Sequence, residues 1–161
     1  LSARQNSLAS LLNGRDKEDF ISALQDDFMI TQSPVAVSPG QLHEFGMYLD
    51  KQWYILTSRK GTYTNDPIGV LDVTILSNNV LNRLLDIKDQ RTDKRIDFVG
   101  GIRGLKELEK RVNSGEMKVA FSLYPVTIQQ LFDIADSGKV MPPKSTWFEP
   151  KLRDGLLTHM I

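Results

Sequence analysis

The sequence predicts an α+β fold, in which about four helices pack on a mixed or antiparallel sheet that contains a hairpin. Segments with strand-like and helix-like patterns interleave along the chain, and 161 residues are enough for one domain with a sizeable core. Two strand-like runs, 43–49 and 52–58, are separated only by Asp50 and Lys51. Such a short connection joins antiparallel strands, because parallel strands need a much longer crossover. A doubly wound parallel sheet is therefore disfavoured.

Residues 1–41 are expected to form a helical lead-in and a linker within the domain. Asp16 can cap a helix, and Phe20, Leu24 and Phe28 follow it at the spacing of one helical face. The remainder of this segment contains two prolines and a glycine, which predict a loop before the hairpin.

Two helices and two strands are predicted in the middle of the chain. A broad apolar stripe after Asp72 is typical of a helix with one buried face. A short strand at 96–99 precedes a helix that should end at Gly115, because glycine is the usual residue after a helix C-terminus. The run at 119–123 is rich in residues that favour strands.

The best-defined helix begins with a capping box, because Thr127 and Gln130 stand three residues apart before an apolar run, and it should end at Gly138. Its inward face is expected to consist of four apolar residues, Ile128, Leu131, Phe132 and Ala135. The apolar tail at 156–161 is predicted to be a closing strand.

The composition excludes several classes of protein. Twenty Lys and Arg residues balance twenty Asp and Glu residues, which argues against a nucleic-acid partner held mainly by charge. The absence of cysteine removes disulfides, thiol nucleophiles and thiolate zinc sites, and it fits a cytoplasmic location. No apolar run approaches the roughly 20 residues that cross a bilayer. Because the sequence starts at Leu1 with neither an initiator methionine nor a signal-peptide pattern, we expect a piece of a longer protein.

The first candidate binding segment is the proline-rich stretch 141–151. Its three prolines stiffen the backbone and lower the entropy of the unfolded chain, so the loop should hold its shape. The side chains that can hold an anion are two lysines, two hydroxyl donors and an aromatic wall: Lys144, Lys151, Ser145, Thr146 and Trp147. The alternative is a rigid lead-in to the last strand, with Trp147 and Phe148 in the core.

The second candidate is the turn between the 96–99 strand and the following helix. Backbone N–H groups of Gly100 and Gly101, with Arg103 nearby, can receive an anion at the helix N-terminus. The alternative is that these glycines only allow the backbone geometry of the turn and bind no ligand. The Lys144-Ser145-Thr146 run is not a phosphate-binding P-loop, because prolines replace the glycine-rich stretch before it.

No catalytic or metal-binding set can be assembled from the spacing of the residues. His43 and His159 are the only histidines, and each is interpreted as a half-buried histidine whose ring nitrogens are hydrogen-bonded. Two histidines, with carboxylates that the sequence does not place beside them, give no metal-ligand spacing.

Six blocks of the chain carry a family pattern: LNG at 12–14 followed by Phe20 and Phe28, HEFGMY at 43–48, LDVTIL at 71–76, IDFVGG at 96–101, AFSLYPV at 120–126 and MPPKSTWFEPK at 141–151. In this order, and above all in the last block, they resemble a bacterial and archaeal family long catalogued only as a domain of unknown function. The resemblance covers nearly the whole chain.

Members of that family are more than twice this length, and their N-terminal half resembles the ParB/sulfiredoxin fold. That half carries a DGHHR-type motif similar to the phosphate-handling motif of ParB nucleotidases and free-serine kinases. The resemblance therefore implies a small-molecule kinase, of serine type, or another nucleotide-using enzyme. No His-His-Arg occurs in this sequence. We therefore expect 1–161 to be a single C-terminal domain that is catalytically incomplete alone.

The resemblance also implies partners: the missing N-terminal half, a small phosphorylated ligand, and a nucleotide with Mg²⁺ in the intact protein. Two other functions stay open. The first is a regulatory module with a DNA partner, which the zero net charge disfavours. The second is a structural dimerisation domain, in which Trp147, Phe148 and the apolar tail pack against a second copy.

Overall fold

The computed structural model describes residues 2–3, 5–9, 14–89, 93–100, 104–139 and 148–149. Within these ranges the chain forms eight strands and four α-helices, one of which continues as a π-helical segment. In chain order the elements are β1 (Ser2–Ala3), β2 (Gln5–Ala9), α1 (Lys17–Leu24), β3 (Phe28–Ser33), β4 (Glu44–Leu49), β5 (Gln52–Ser58), α2 (Asp72–Leu76) with the π-helical segment (Ser77–Asn82), β6 (Ile96–Gly100), α3 (Gly104–Asn113), β7 (Val119–Leu123), α4 (Ile128–Asp136) and β8 (Phe148–Glu149).

Six of the strands form one sheet in the order β3-β5-β4-β7-β2-β6, and every neighbouring pair is antiparallel. Strands β1 and β8 form a separate antiparallel pair. The predicted α+β class is therefore confirmed, and the sheet takes the antiparallel of the two arrangements expected for it.

Successive side chains of a strand point to opposite faces of the sheet, and other elements cover both faces. In β7, Phe121 joins a large core with side chains of α1 and α2, whereas Ala120 joins a smaller core with Leu108 of α3. In β5, Tyr54 belongs to the large core and Trp53 to the smaller one. The described fold thus has three layers, with the sheet in the middle.

The predicted hairpin is confirmed. Leu49 pairs with Gln52, so the connection is the two residues Asp50 and Lys51. Both have left-handed backbone angles, with φ of 50° and 64°. Two left-handed residues are the signature of a type I′ turn, whose twist matches that of the strands it joins.

The structure differs from the predicted helical lead-in over 1–41. Asp16 does cap α1, since its Oδ1 accepts a hydrogen bond from the N–H of Asp19 at 2.8 Å. The helix, however, ends at Leu24, and Phe28 begins β3 instead of a third helical turn. Phe20, Leu24 and Phe28 share one core, so their spacing reflects common burial and not one helix.

The start of the chain also differs from a lead-in, because β2 lies inside the sheet. It pairs with β6 on one side and with β7 on the other. Both partners lie far along the chain from β2, since Ala9 pairs with Ile96 and with Val119. Long-range pairing of this kind overrides weak local propensity.

The predicted inward face of α4 is wrong, although the capping box of Thr127 and Gln130 is confirmed in both of its hydrogen bonds. Ile128 and Phe132 are 69% and 59% exposed, Ala135 is exposed and Leu131 is half-buried. The buried residues are Gln130 and Ile134, which share the opposite face at a spacing of four. The predicted closing strand at 156–161 lies outside the described residues.

Candidate functional site

Of the eight residues predicted to bind a ligand, the structure describes Gly100 alone. This residue ends β6 and pairs with Gln5 at the start of β2. The other seven lie outside the described residues: Gly101, Arg103, Lys144, Ser145, Thr146, Trp147 and Lys151. Their role as ligand-binding residues stays a prediction.

The described residues of the two predicted binding segments pair with neighbouring parts of the chain. Phe148, which lies within the proline-rich stretch 141–151, pairs with Ala3 in β1, and Gly100, which begins the second segment, pairs with Gln5 in β2. Only one residue separates Ala3 from Gln5. The path from Phe148 to Gly100 consists of the cross-strand distance to Ala3, two residues of chain to Gln5 and the cross-strand distance to Gly100. The Cα atoms of Phe148 and Gly100 are therefore about 18 Å apart at most. The described parts of the two segments are therefore linked through neighbouring residues of β1 and β2.

A polar cluster that the sequence did not reveal lies around His43. Its ring Nε2 is 3.0 Å from the carbonyl oxygen of Val70, and its Nδ1 is 3.1 Å from the hydroxyl of Tyr63. A carbonyl oxygen only accepts, so Nε2–H donates to Val70 and, in the neutral ring, Nδ1 accepts from Tyr63. The half-buried, hydrogen-bonded histidine expected from the sequence is therefore confirmed for His43. His159 lies outside the described residues.

Asp72 completes this cluster from the first residue of α2. Its Oδ1 accepts the backbone N–H of His43 at 2.9 Å, which helps to hold that residue at its left-handed φ of 68°. The side chain is almost fully buried, and Oδ2 has no hydrogen-bond partner among the described residues. Burial raises the pKa of Asp72 to about 7, and the hydrogen bond from His43 only partly opposes that rise.

Little in the sequence points to this cluster. Asp72 stands just before an apolar stripe, which is the normal position of a helix cap, but the structure makes Leu71 the capping position and turns the carboxylate toward His43. Asp72 and His43 are 29 positions apart, and neither period nor spacing connects them. The cluster ties the start of β4 to the start of α2 through a carboxyl group that changes charge near neutral pH.

The described residues show no assembled metal centre. No group of three or more His, Cys, Asp or Glu side chains within them is arranged to hold a metal ion. In the same part of the chain, no helix has the length and apolar character needed to cross a membrane.

Part of the chain matches a known family. Residues 7–74 match the model of a family described as "Protein of unknown function (DUF1015)". No curated protein matches the chain.

Two solved structures share the fold of this chain, and both are variants of free serine kinase in complex with AMP. The first has a TM-score of 0.52 and 14% sequence identity, and the match covers 90% of this chain and 52% of that one. The second has a TM-score of 0.50 at the same identity and covers 91% of this chain and 52% of that one. The chain thus spans about half the length of the solved kinases that it resembles in fold.

Proposed function

We propose that this chain forms one wall of a phosphate- or nucleotide-binding site in a longer cytoplasmic phosphotransferase, a small-molecule kinase of serine type. The observation that carries the proposal is that described residues of the two predicted binding segments pair with neighbouring parts of the chain, Phe148 with Ala3 and Gly100 with Gln5. The shared fold with free serine kinase solved with AMP supports it.

In this proposal the anion is held by side chains of the proline-rich stretch. Lys144 and Lys151 balance the phosphate charge, and the hydroxyls of Ser145 and Thr146 donate hydrogen bonds to phosphate oxygens. Trp147 stacks on the organic part of the ligand, and the backbone at Gly100 and Gly101 approaches the phosphate from the facing turn, beside Arg103.

The catalytic groups come from a second half of the protein, which we propose to have the ParB/sulfiredoxin-like fold. A nucleotide with Mg²⁺ is the proposed cofactor of the intact enzyme, and none of the described residues is assigned to the metal. Binding the nucleotide between the halves would let the second half place its reacting groups while this chain closes the site.

Lys144→Ala in the intact protein is expected to weaken the binding of ADP by between ten- and a hundredfold. The reason is that a hydrogen bond to a charged group contributes about 1.5–3 kcal/mol. Isothermal titration calorimetry measures the change. Lys139→Ala is the matched control, because Lys139 is an exposed lysine just after α4 and should leave the affinity unchanged.

Equal ADP affinity in the wild type and in Lys144→Ala would remove the anion-binding role from the loop. A thermal-shift screen with phosphate, AMP, ADP and ATP with Mg²⁺ adds a second reading. Ligand at about one hundred times its dissociation constant stabilises a protein by about 2.7 kcal/mol, which is several degrees for a domain of this size. A shift in the intact protein is expected, and no shift with any of these ligands would contradict the proposal.

A further inference from the structure

A cleft of about 490 Å³ lies at the end of the sheet opposite to the proposed nucleotide site. It opens between the start of α1 and the end of α3, where β4 ends and β7 begins with the pair Leu49 and Val119. Its volume falls within the range of small-molecule sites.

The two sites are separated by the length of β2. Gln5 pairs with Gly100 at the nucleotide end, whereas Ala9 pairs with Val119 at the cleft end. Four strand steps span about 13 Å, so the same small ligand does not fill both positions.

The cleft has apolar walls. Leu49 and Met117 line it with side chains that are 3% and 7% exposed, and half-buried Val112 adds a third apolar contribution from α3. Because these side chains are packed into the fold, the apolar wall is rigid, and it favours a ligand with an apolar body.

The charged side chains that line the cleft carry a net positive charge. Lys17 lies 3.4 Å from Asp50, so these two charges compensate each other. The Asp16 carboxylate is engaged in capping α1. Arg15 and Lys118 are both exposed and make no ion pair within the described part of the chain. Two cations thus remain to attract an anion, against a single capping carboxylate.

We propose that this cleft binds a small organic anion with an apolar body, such as an aromatic carboxylate, sulfonate or monophosphate. The apolar part packs against Leu49, Val112 and Met117, and the anionic group lies between Arg15 and Lys118. The site is independent of the proposed nucleotide site and does not rest on it.

The test is a titration of the isotope-labelled chain with 2-naphthalenesulfonate, followed by amide NMR. Saturable shifts are expected at Lys17, Asp50 and Lys118. Inorganic phosphate, which lacks the apolar body, and 2-naphthol, which lacks the anionic group, are each expected to bind at least tenfold more weakly. Shifts that are absent, or confined to the exposed apolar residues of α4, would overturn the proposal.

Charge-reversal variants supply the matched control. Arg15→Glu/Lys118→Glu is expected to weaken binding of the sulfonate at least tenfold. Lys106→Glu/Lys110→Glu makes the same change in net charge at exposed positions of α3 that do not line the cleft, and it should bind as the wild type does. If the charge-reversed cleft variant does not fold, Arg15→Gln/Lys118→Gln replaces it, with a smaller loss expected. Equal affinity in the cleft and control variants would overturn the proposal.

Discussion

The wild-type protein is expected to lose stability between pH 5 and pH 8, and Asp72→Asn is expected to abolish that loss. Burial raises the pKa of Asp72 from 3.8 to about 7 in the folded protein. Between about pH 4 and pH 7, the Asp72 carboxyl group is therefore protonated in the native state and ionised in the unfolded state. Stability falls as the pH rises through this window and stays low above it. Asparagine has no proton to release, so its variant lacks this dependence.

The expected size of the effect follows from the same window. About two pH units between pH 5 and the folded pKa correspond to roughly 3 kcal/mol, taken as an order of magnitude. Urea denaturation of wild type and variant at pH 5 and pH 8 measures it. The asparagine side chain of the variant should keep an oxygen acceptor for the His43 N–H, so both proteins should fold at both pH values.

Asp136→Asn is the matched control for this titration. Asp136 is an exposed carboxylate at the end of α4, and its replacement should leave the pH dependence of the wild type unchanged. A wild-type pH dependence retained in Asp72→Asn would show that the buried carboxyl group does not titrate as the structure indicates.

Gly46→Ala is expected to destabilise the protein by about 3 kcal/mol, because the centre of β4 has no space for a methyl group. A Cβ at this position would clash with the hydroxyl of Ser122 and lie 2.7 Å from the carbonyl oxygen of Val37. These two groups are already joined by a buried hydrogen bond of 2.7 Å. The methyl group must displace one of them, at a cost in packing and in hydrogen bonding.

Thermal denaturation measures this effect, with a fall in Tm of roughly 10 °C expected for a domain of this size. Gly40→Ala is the control, since a Cβ at Gly40 meets nothing within 4 Å and should change stability little. Adding Ser122→Ala to Gly46→Ala should recover part of the loss by removing one of the clashing groups. A Tm of Gly46→Ala equal to that of the wild type would contradict the packing described around β4.

Local signals in the sequence predicted the parts of the fold that are determined locally. The Asp50-Lys51 turn, the Asp16 cap and the capping box of Thr127 each depend on residues a few positions apart, and the structure confirms all three. The class of fold followed from them, because a tight hairpin among interleaved helices favours an antiparallel α+β arrangement.

Elements that depend on distant partners could not be predicted in the same way. Strand β2 is held by β6 and β7, which lie far along the chain, and its own sequence carries a weak pattern. Helix α4 shows a second limit. Its apolar residues Ile128 and Phe132 fit an inward face, but the rest of the molecule packs against Gln130 and Ile134.

The candidate sites also differ in whether their residues are close together in the sequence. The proline-rich stretch and the Gly100 turn are visible in the sequence because their residues are contiguous. The contact between His43 and Asp72 and the charge imbalance at Arg15 and Lys118 arise only when separate segments meet. Hydrophobic periodicity carries no information on such meetings.

The sharpest test of the proposed nucleotide wall is hydrogen–deuterium exchange of the intact protein with and without saturating ADP. We expect slower exchange in peptides that cover 97–103 and 141–151, with no change at 117–123 on the far side of β2. If ADP binds and exchange in the first two peptides does not change, this chain does not form the wall.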